Sequence, residues 1–496
     1  MNSKPISQKK ILNATKWSSL AEIAARIAAP IVNMVLARVL TPDAFGIVAS
    51  ITIITSFADI FTDAGFQKYI VQHEYQDSES LEAGSNVAFT SNLILSTFIY
   101  IIIFIFKKPL ATAVGCGDEY WAVAVSSLTV LCTCIPSVAV ARFRRDLDFK
   151  PLFFIRITGA LIPIVVTVPL ALIFRNFWAL IIGTLLQKFF IAIATIILSK
   201  WKPRLELRIS LFKEMIGFSI WNLMETLSIW FAGQANIFIV SNTLNPYYLG
   251  LYKTAMSAVN SCLGLITAAF TPVFFSTLSR FQNDKTKYNS AFDEFQFALS
   301  LIVIPLGFGL FMYKDIAIGV LLGNQWTEAT MFLGLWSLVS TITIVYSNTA
   351  CEVYRSYGKP NISFFLQMGY LVFYIPAILY SAKAGFSPLT YTSSLIRLLP
   401  VLADIVVLHV MFGVKIKHIF NNTAYNILCA VIMSILAYYL RKISSSIPWI
   451  VVSIIVCAIF YFGINLLNPR QLKRVKRLDI WNKLIKKQIR GGEKHV

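Results

Sequence analysis

The sequence predicts an all-α, polytopic membrane protein of about fourteen transmembrane helices. They are expected to form two parallel-repeat six-helix lobes around a central cavity, followed by a C-terminal helix pair. Three observations carry this. The 496-residue chain is 57% apolar and 14% charged, with a mean hydropathy of +0.68, whereas a soluble protein keeps about a quarter of its residues charged. Apolar windows of about 20 residues, the length that crosses a bilayer core, recur along the whole chain. Basic residues collect in alternate connections between those windows, the positive-inside bias of a multi-spanning protein.

The windows centre on residues 15–38, 45–70, 84–106, 119–141, 152–174, 177–199, 214–240, 249–278, 291–313, 327–348, 361–381, 387–412, 422–440 and 446–467. With a cytoplasmic N-terminus, the inner connections carry Arg142, Arg144, Arg145 and Lys150, then Lys200, Lys202, Arg204, Arg208 and Lys213, then Arg280, Lys285 and Lys287. Arg355 with Lys359 and Lys415 with Lys417 complete that side, and ten more basic residues follow Pro469. The outer connections hold Lys107, Lys108, Arg175, Lys314, Lys383, Arg441 and Lys442. One inner segment dissents, with Glu74, Asp77, Glu79 and Glu82, but acidic residues weigh little in the bias. An even number of spans returns the C-terminus to the cytoplasm. The excess of 44 Lys+Arg over 24 Asp+Glu is therefore a topology marker, and no nucleic-acid partner is expected. Lys16, Glu22 and Arg26 make the first window too polar for a cleavable signal core, so that span is expected to be retained.

An internal repeat organises the chain. Leu40-Thr41-Pro42-x-x-Phe45-Gly46 recurs as Leu244-Asn245-Pro246-x-x-Leu249-Gly250, Pro42 and Pro246 being 204 residues apart. A looser echo joins Trp17-x-x-Leu20-x-Glu22 to Trp221-x-Leu223-x-Glu225. Six spans separate the copies, so both halves insert the same way up, and parallel repeats of this kind place a substrate path between the halves. The expected domains are an N-lobe at 1–200, a C-lobe at 201–413, the last two spans at 414–468 and a basic cytoplasmic tail at 469–496. In that tail Val475, Leu478, Trp481, Ile485 and Ile489 recur at helical spacing among the basic residues, the pattern of an amphipathic helix on anionic inner-leaflet lipids.

Ionisable residues inside spans are costly and mark functional positions. Ser19, Glu22, Arg26 and Asn33 share a helical face, as do Thr52, Ser56, Asp59 and Asp63. Thr184, Lys188 and Thr195 form a third stripe, and Thr390, Arg397 and Asp404 a fourth. Such stripes face protein or water, because lipid leaves them unsatisfied. For the Ser, Thr and Asn positions, hydrogen bonding between helices accounts for the polarity. Arg26, Lys188 and Arg397 lie deep enough to line a hydrated cavity, where an Arg or Lys binds phosphate oxygens strongly. Glu22, Asp59, Asp63, Glu225 and Asp404 are candidates for pairing with these cations or for taking up a proton or sodium ion.

Catalytic classes find little support. No Walker A sequence is present, no connection exceeds about a dozen residues, and the four histidines are too scattered for a metal site or a nucleophilic triad. The seven cysteines lie mostly within spans, with Cys116 in an outer connection. No enzyme activity and no cofactor are expected.

The stretch Val35-Leu36-Ala37-Arg38-Val39-Leu40-Thr41-Pro42-Asp43-Ala44-Phe45-Gly46, with Phe61-Thr62-Asp63-Ala64-Gly65-Phe66 and Ile70-Val71-Gln72, resembles the polysaccharide repeat-unit flippases. These belong to the multidrug/oligosaccharidyl-lipid/polysaccharide exporter superfamily, in the branch serving exopolysaccharides such as colanic acid. Ala141-Arg142-Phe143-Arg144-Arg145-Asp146-Leu147-Asp148-Phe149-Lys150 is similar to that branch too. The resemblance implies a two-lobed bundle working by alternating access in the bacterial cytoplasmic membrane. It implies an undecaprenyl-diphosphate-linked oligosaccharide as substrate, carried from inner to outer leaflet, and a monomer that works beside polymerase and export machinery. On that model Arg26, Lys188 and Arg397 hold the diphosphate or acidic sugars, and Glu22 and Asp63 serve in salt bridges or coupling. The second half has Ser241-Asn242 where the first has Ala37-Arg38, which makes an asymmetric cavity the expectation. The competing reading is a cation-coupled drug or metabolite antiporter on the same fold; a membrane glycosyl polymerase lacks the large external loops it would need.

Overall fold

The computed structural model describes residues 28–475, apart from 64–65, 74, 76, 147, 200 and 360. The described residues are helical nearly throughout, and they divide into two compact units. Twelve of the helices are long and apolar enough to cross a membrane. Their ranges coincide with twelve of the expected windows, and the helices over Ala28–Val39 and Ile209–Thr243 fall on the first and seventh. Glu22, Arg26 and most of the amphipathic tail lie outside the described residues.

The first unit takes in residues 1–254 with two short later segments, Gly319–Thr327 and Ile378–Phe386. It contains α1 (Ala28–Val39), α2 (Pro42–Asp63), α3 (Phe66–Gln72), α4 (Ser78–Ile105), α5 (Lys107–Ala113), α6 (Tyr120–Ser126), α7 (Leu128–Arg145), α8 (Phe149–Ile162), α9 (Val168–Phe174), α10 (Trp178–Leu198), α11 (Ile209–Thr243) and the start of α12 (Pro246–Phe281). Between α8 and α9 the backbone widens into a π turn over Pro163–Thr167, where the Val168 N–H reaches back to the Pro163 carbonyl. Pro169, which has no N–H to donate, prevents a regular α-helix there.

The repeated turn has a local explanation. Pro42 and Pro246 each open a helix, where the missing N–H costs nothing. Thr41 Oγ1 accepts from the Ala44 amide at 3.4 Å, and Asn245 Oδ1 from the Tyr248 amide at 3.1 Å, so each copy supplies its own N-cap. The end of α1 is closed from elsewhere in the unit. The Gln325 amide donates to the Leu40 carbonyl at 2.6 Å and the Trp326 indole to the Ala37 carbonyl at 2.7 Å, satisfying acceptors that a helix end leaves open. Arg145, one of the basic residues expected on the inner side, does the same for α3, donating to the Ile70 and His73 carbonyls at 2.6 Å each.

The second unit takes in Ala255–Ile318, Glu328–Ala377 and Ser387–Val496. It holds the rest of α12, α13 (Lys285–Met312), the first part of α14 (Lys314–Leu321), α15 (Thr330–Thr343), α16 (Thr349–Ser356), most of α17 (Asn361–Lys383) and α18 (Phe386–Leu395), then α19 (Leu398–Phe412), α20 (Ile416–Ile443) and α21 (Ile447–Leu467). A second π turn, Ile344–Asn348, joins α15 to α16 without a proline. The twelfth expected window is two helices rather than one. Pro400 withholds the bond to the Ile396 carbonyl and its ring crowds that carbonyl; the chain turns at Ile396–Arg397, and the Leu399 amide takes the Ile396 carbonyl instead at 3.0 Å.

Close helix contacts in lipid rest on small residues, and Gly307 of α13 shows why. A Cβ placed there would lie 2.8 Å from Thr341 Cβ and 3.1 Å from the Ser337 carbonyl oxygen, whereas Gly309 faces open space. Gly307→Ala is therefore expected to destabilise the protein by about 1–3 kcal/mol. Gly309→Ala is expected to be neutral or stabilising by up to about 1 kcal/mol through helix propensity. Thermal unfolding in detergent separates the two signs.

Candidate functional site

Within each unit some of the residues of the expected stripes sit beside other polar side chains. In the first unit Asp59 of α2 accepts a hydrogen bond from Thr133 of α7 at 3.0 Å. Lys188 of α10, half-buried, stands within electrostatic reach of the Asp59 carboxylate and of Cys132. Three helices thus bring an acid, a hydroxyl and a cation together. On the same face of α2, Ser56 accepts the Trp230 indole N–H of α11 at 3.0 Å, and the Thr52 hydroxyl donates to its own helix at Val48. Of the α10 stripe, Thr195 is buried and Thr184 exposed. Asp63 and Glu225 fall within α2 and α11; their side chains, like Glu22 and Arg26 entirely, lie outside the described residues.

In the second unit Arg397 occupies the turn between α18 and α19. Its guanidinium donates to Ser340 Oγ at 2.8 Å and lies 3.9 Å from the centroid of the Trp336 ring. The Trp336 indole donates in turn to Asn260 Oδ1 at 3.2 Å. A cation over an indole face is held by the ring quadrupole. Asp404, 5% exposed, accepts a 3.0 Å bond from the Tyr354 hydroxyl of α16. Thr390 is buried in α18. Because the chain turns at Arg397, the three stripe residues do not share one straight helix.

Several polar groups escaped the stripe argument. Trp336, Ser340, Asn260, Thr133 and Tyr354 carry no formal charge, and a search for charged stripes passes over them. Nor does it mark the network near the starts of α13 and α20. There the Asn422 amide donates to Asp293 at 2.7 Å and to Gln296 at 3.1 Å, and Arg474 donates to Asn422 Oδ1 at 2.6 Å. Asp293 also lies 3.3 Å from His418. Arg474 thereby fastens the first turn of the basic tail to the helices it follows. Among the described residues, no three His, Cys, Asp or Glu side chains gather as a metal site would require.

Both units therefore carry a cation within a helix bundle, each beside hydroxyl or aromatic groups. A family model described as polysaccharide biosynthesis protein matches residues 35–331, more than half of the 496.

The chain belongs to the polysaccharide biosynthesis protein family. Relatives in this family include the succinoglycan biosynthesis transport protein ExoT of Rhizobium meliloti (strain 1021), 22% identical over 354 residues, 71% of this chain and 70% of the relative. The lipopolysaccharide biosynthesis protein WzxC of Escherichia coli (strain K12) is 21% identical over 383 residues, 75% of each chain. Among solved structures, the lipid II flippase MurJ in an inward closed conformation superposes with a TM-score of 0.75 at 15% identity, covering 92% of this chain and 99% of that one. An inward-facing multidrug resistance transporter of the MATE family and MOP superfamily gives 0.59 at 11% identity, over 79% and 96%. At these identities the structural likeness is one of fold, which this polysaccharide biosynthesis protein shares with MurJ and the MATE transporter. It is a multi-pass membrane protein of polysaccharide biosynthesis.

Proposed function

We propose that this protein is a flippase that carries undecaprenyl-diphosphate-linked oligosaccharide repeat units from the inner to the outer leaflet of the bacterial cytoplasmic membrane, by alternating access and with both termini in the cytoplasm. The observation that carries the reading is the pair of membrane-embedded cations, Lys188 beside Asp59 and Arg397 on Trp336 and Ser340, in a chain whose family serves polysaccharide biosynthesis. Arg397, Lys188 and the expected Arg26 receive the diphosphate or acidic sugars. Glu22, Asp59, Asp63, Glu225 and Asp404 serve as counter-charges or as sites for a coupling proton or sodium ion. The names of ExoT, a transport protein of succinoglycan biosynthesis, and of MurJ, a lipid II flippase, support a lipid-linked saccharide as the substrate class. The residues at 1–200 and 201–413 act as the two lobes, the last two spans and the basic tail lie beside them, and the tail rests on anionic lipid.

The direction is physically reasonable. Moving a negative headgroup outward across an inside-negative membrane is favourable by about 2.3 kcal/mol per charge per 100 mV. Deleting the gene is expected to trap lipid-linked repeat units on the inner leaflet, measured by their protection from a glycosidase added outside spheroplasts. Normal delivery in a strain without a second flippase would overturn the proposal. The antiporter reading draws on the half-buried Asp59 and the buried Asp404; it predicts cation-driven drug efflux from proteoliposomes, with saccharide delivery unchanged.

A further inference from the structure

The two copies of the repeated turn pack directly on each other. A Cβ built on Gly46 would overlap the carbonyl oxygen of Pro246, and a Cβ built on Gly250 would overlap the carbonyl oxygen of Pro42 and lie 3.1 Å from the Gly46 amide nitrogen. The contact is reciprocal, the same residues of each copy meeting their equivalents, and it is made backbone to backbone. Beside it a third segment closes in. Gly115, at φ +75°, lies against the Ser241 carbonyl so closely that it too excludes a Cβ, and the Asn242 amide donates to the Ala113 carbonyl at 2.9 Å. Cys116, next in the chain, is 5% exposed.

We propose that these turns form the outer gate of the transport path, sealed by backbone contact that only glycine at 46 and 250 permits and locked by the Ala113–Cys116 loop. This rests on the transport reading and its orientation, in which all three segments face outward. The construction suits a joint that must part. Each turn is capped by its own Thr41 or Asn245, so separation orphans no cap donor. The lock is a single amide on Asn242, an exposed residue, which water replaces without leaving a buried unmade bond. The two turns meet through backbone atoms, so closing depends on fit. The repeat thus has a purpose beyond helix capping: each half supplies one face of the seal. Gly46 and Gly250 are required by the partner turn's carbonyl rather than by their own backbone, since both sit inside helices at ordinary backbone angles.

Cys116 is a built-in reporter. Burial pushes its thiol up to about 12, so a closed gate leaves it both shielded and protonated. The experiment measures labelling of Cys116 by a membrane-impermeant maleimide added outside spheroplasts. The proteins compared are wild type, Gly46→Ala, Gly250→Ala, Asn242→Ala and the open-space control Gly309→Ala, each also made with Cys116→Ser to subtract other thiols. Wild type and Gly309→Ala are expected to label slowly. The two turn variants are expected to label several-fold faster and to deliver less lipid-linked saccharide, and Asn242→Ala to label faster while keeping the protein at its normal level. Wild-type labelling rates in Asn242→Ala and in whichever turn variants reach the membrane would overturn the gate, whatever happens to delivery. Faster labelling with delivery unchanged would uphold the joint but remove its role as a gate, overturning the proposal. Faster labelling in a protein that moves no saccharide even as wild type would keep the gate and reject the flippase reading instead.

Discussion

Lys188→Ala is expected to cut delivery of lipid-linked repeat units by ~10- to 100-fold, the loss of one charge-assisted contact of ~1.5–3 kcal/mol, while the protein still inserts. Arg397→Ala is expected to behave alike. The two differ in how they tolerate exchange of one cation for the other. Lys188 acts as a point charge near Asp59, and Lys188→Arg should retain much of the delivery. Arg397 uses its flat guanidinium on Trp336 while bonding Ser340; Arg397→Lys gives up the fork and the stacking geometry and should recover little. Removing Lys188 also strands the half-buried Asp59, so Lys188→Ala with Asp59→Asn should restore stability without restoring delivery. The checks are outer-leaflet accessibility of the saccharide and the amount of protein in the membrane. Unchanged delivery in both alanine variants would remove these cations from the substrate path.

The positions of the spans were legible because lipid forbids unsatisfied backbone, so every crossing must be written as a long apolar run. The repeat was legible for a similar reason: Thr41-Pro42 and Asn245-Pro246 are cap and first-turn residues whose chemistry is local. What the same residues do to each other was not legible. Gly46 and Gly250 read as ordinary small residues until the fold sets each against the other copy's proline carbonyl. Lys188 and Asp59 stood out because charge is scarce in a span, yet Thr133, which completes their cluster, is one hydroxyl among many.

The break at Ile396–Arg397 was present in the sequence as Pro400, four residues beyond the carbonyl it leaves open. A heptad count that joined Thr390, Arg397 and Asp404 passed over it. Trp336 could not be found by any count, since its bond to Asn260 and its stacking under Arg397 join residues far apart in the chain. Inner-side arginines were read as topology markers, and Arg145 is also the cap of α3. One residue meets both demands, and the sequence displays the one with a statistical pattern.

Trp326→Ala is expected to cost about 3–5 kcal/mol of stability, in the range of large-to-small changes at well-packed positions. Trp326 is fully buried, its ring meets Phe45 edge-on at 5.3 Å, and its indole donates to the Ala37 carbonyl. In a membrane protein such packing carries much of the cohesion that water supplies elsewhere. Removing the ring opens a cavity beside the end of α1, within the unit whose α1–α2 turn makes half of the glycine contact. Trp326→Phe separates packing from hydrogen bonding. It keeps most of the ring volume, and the Ala37 carbonyl retains the Gln325 amide as a donor, so its cost should stay near about 1 kcal/mol. Thermal unfolding of the purified protein in detergent measures both. If Trp326→Ala unfolds within a degree or two of wild type, the side chain is not the keystone its burial implies. If Trp326→Phe instead loses as much as alanine, the hydrogen bond rather than the packing holds the end of α1.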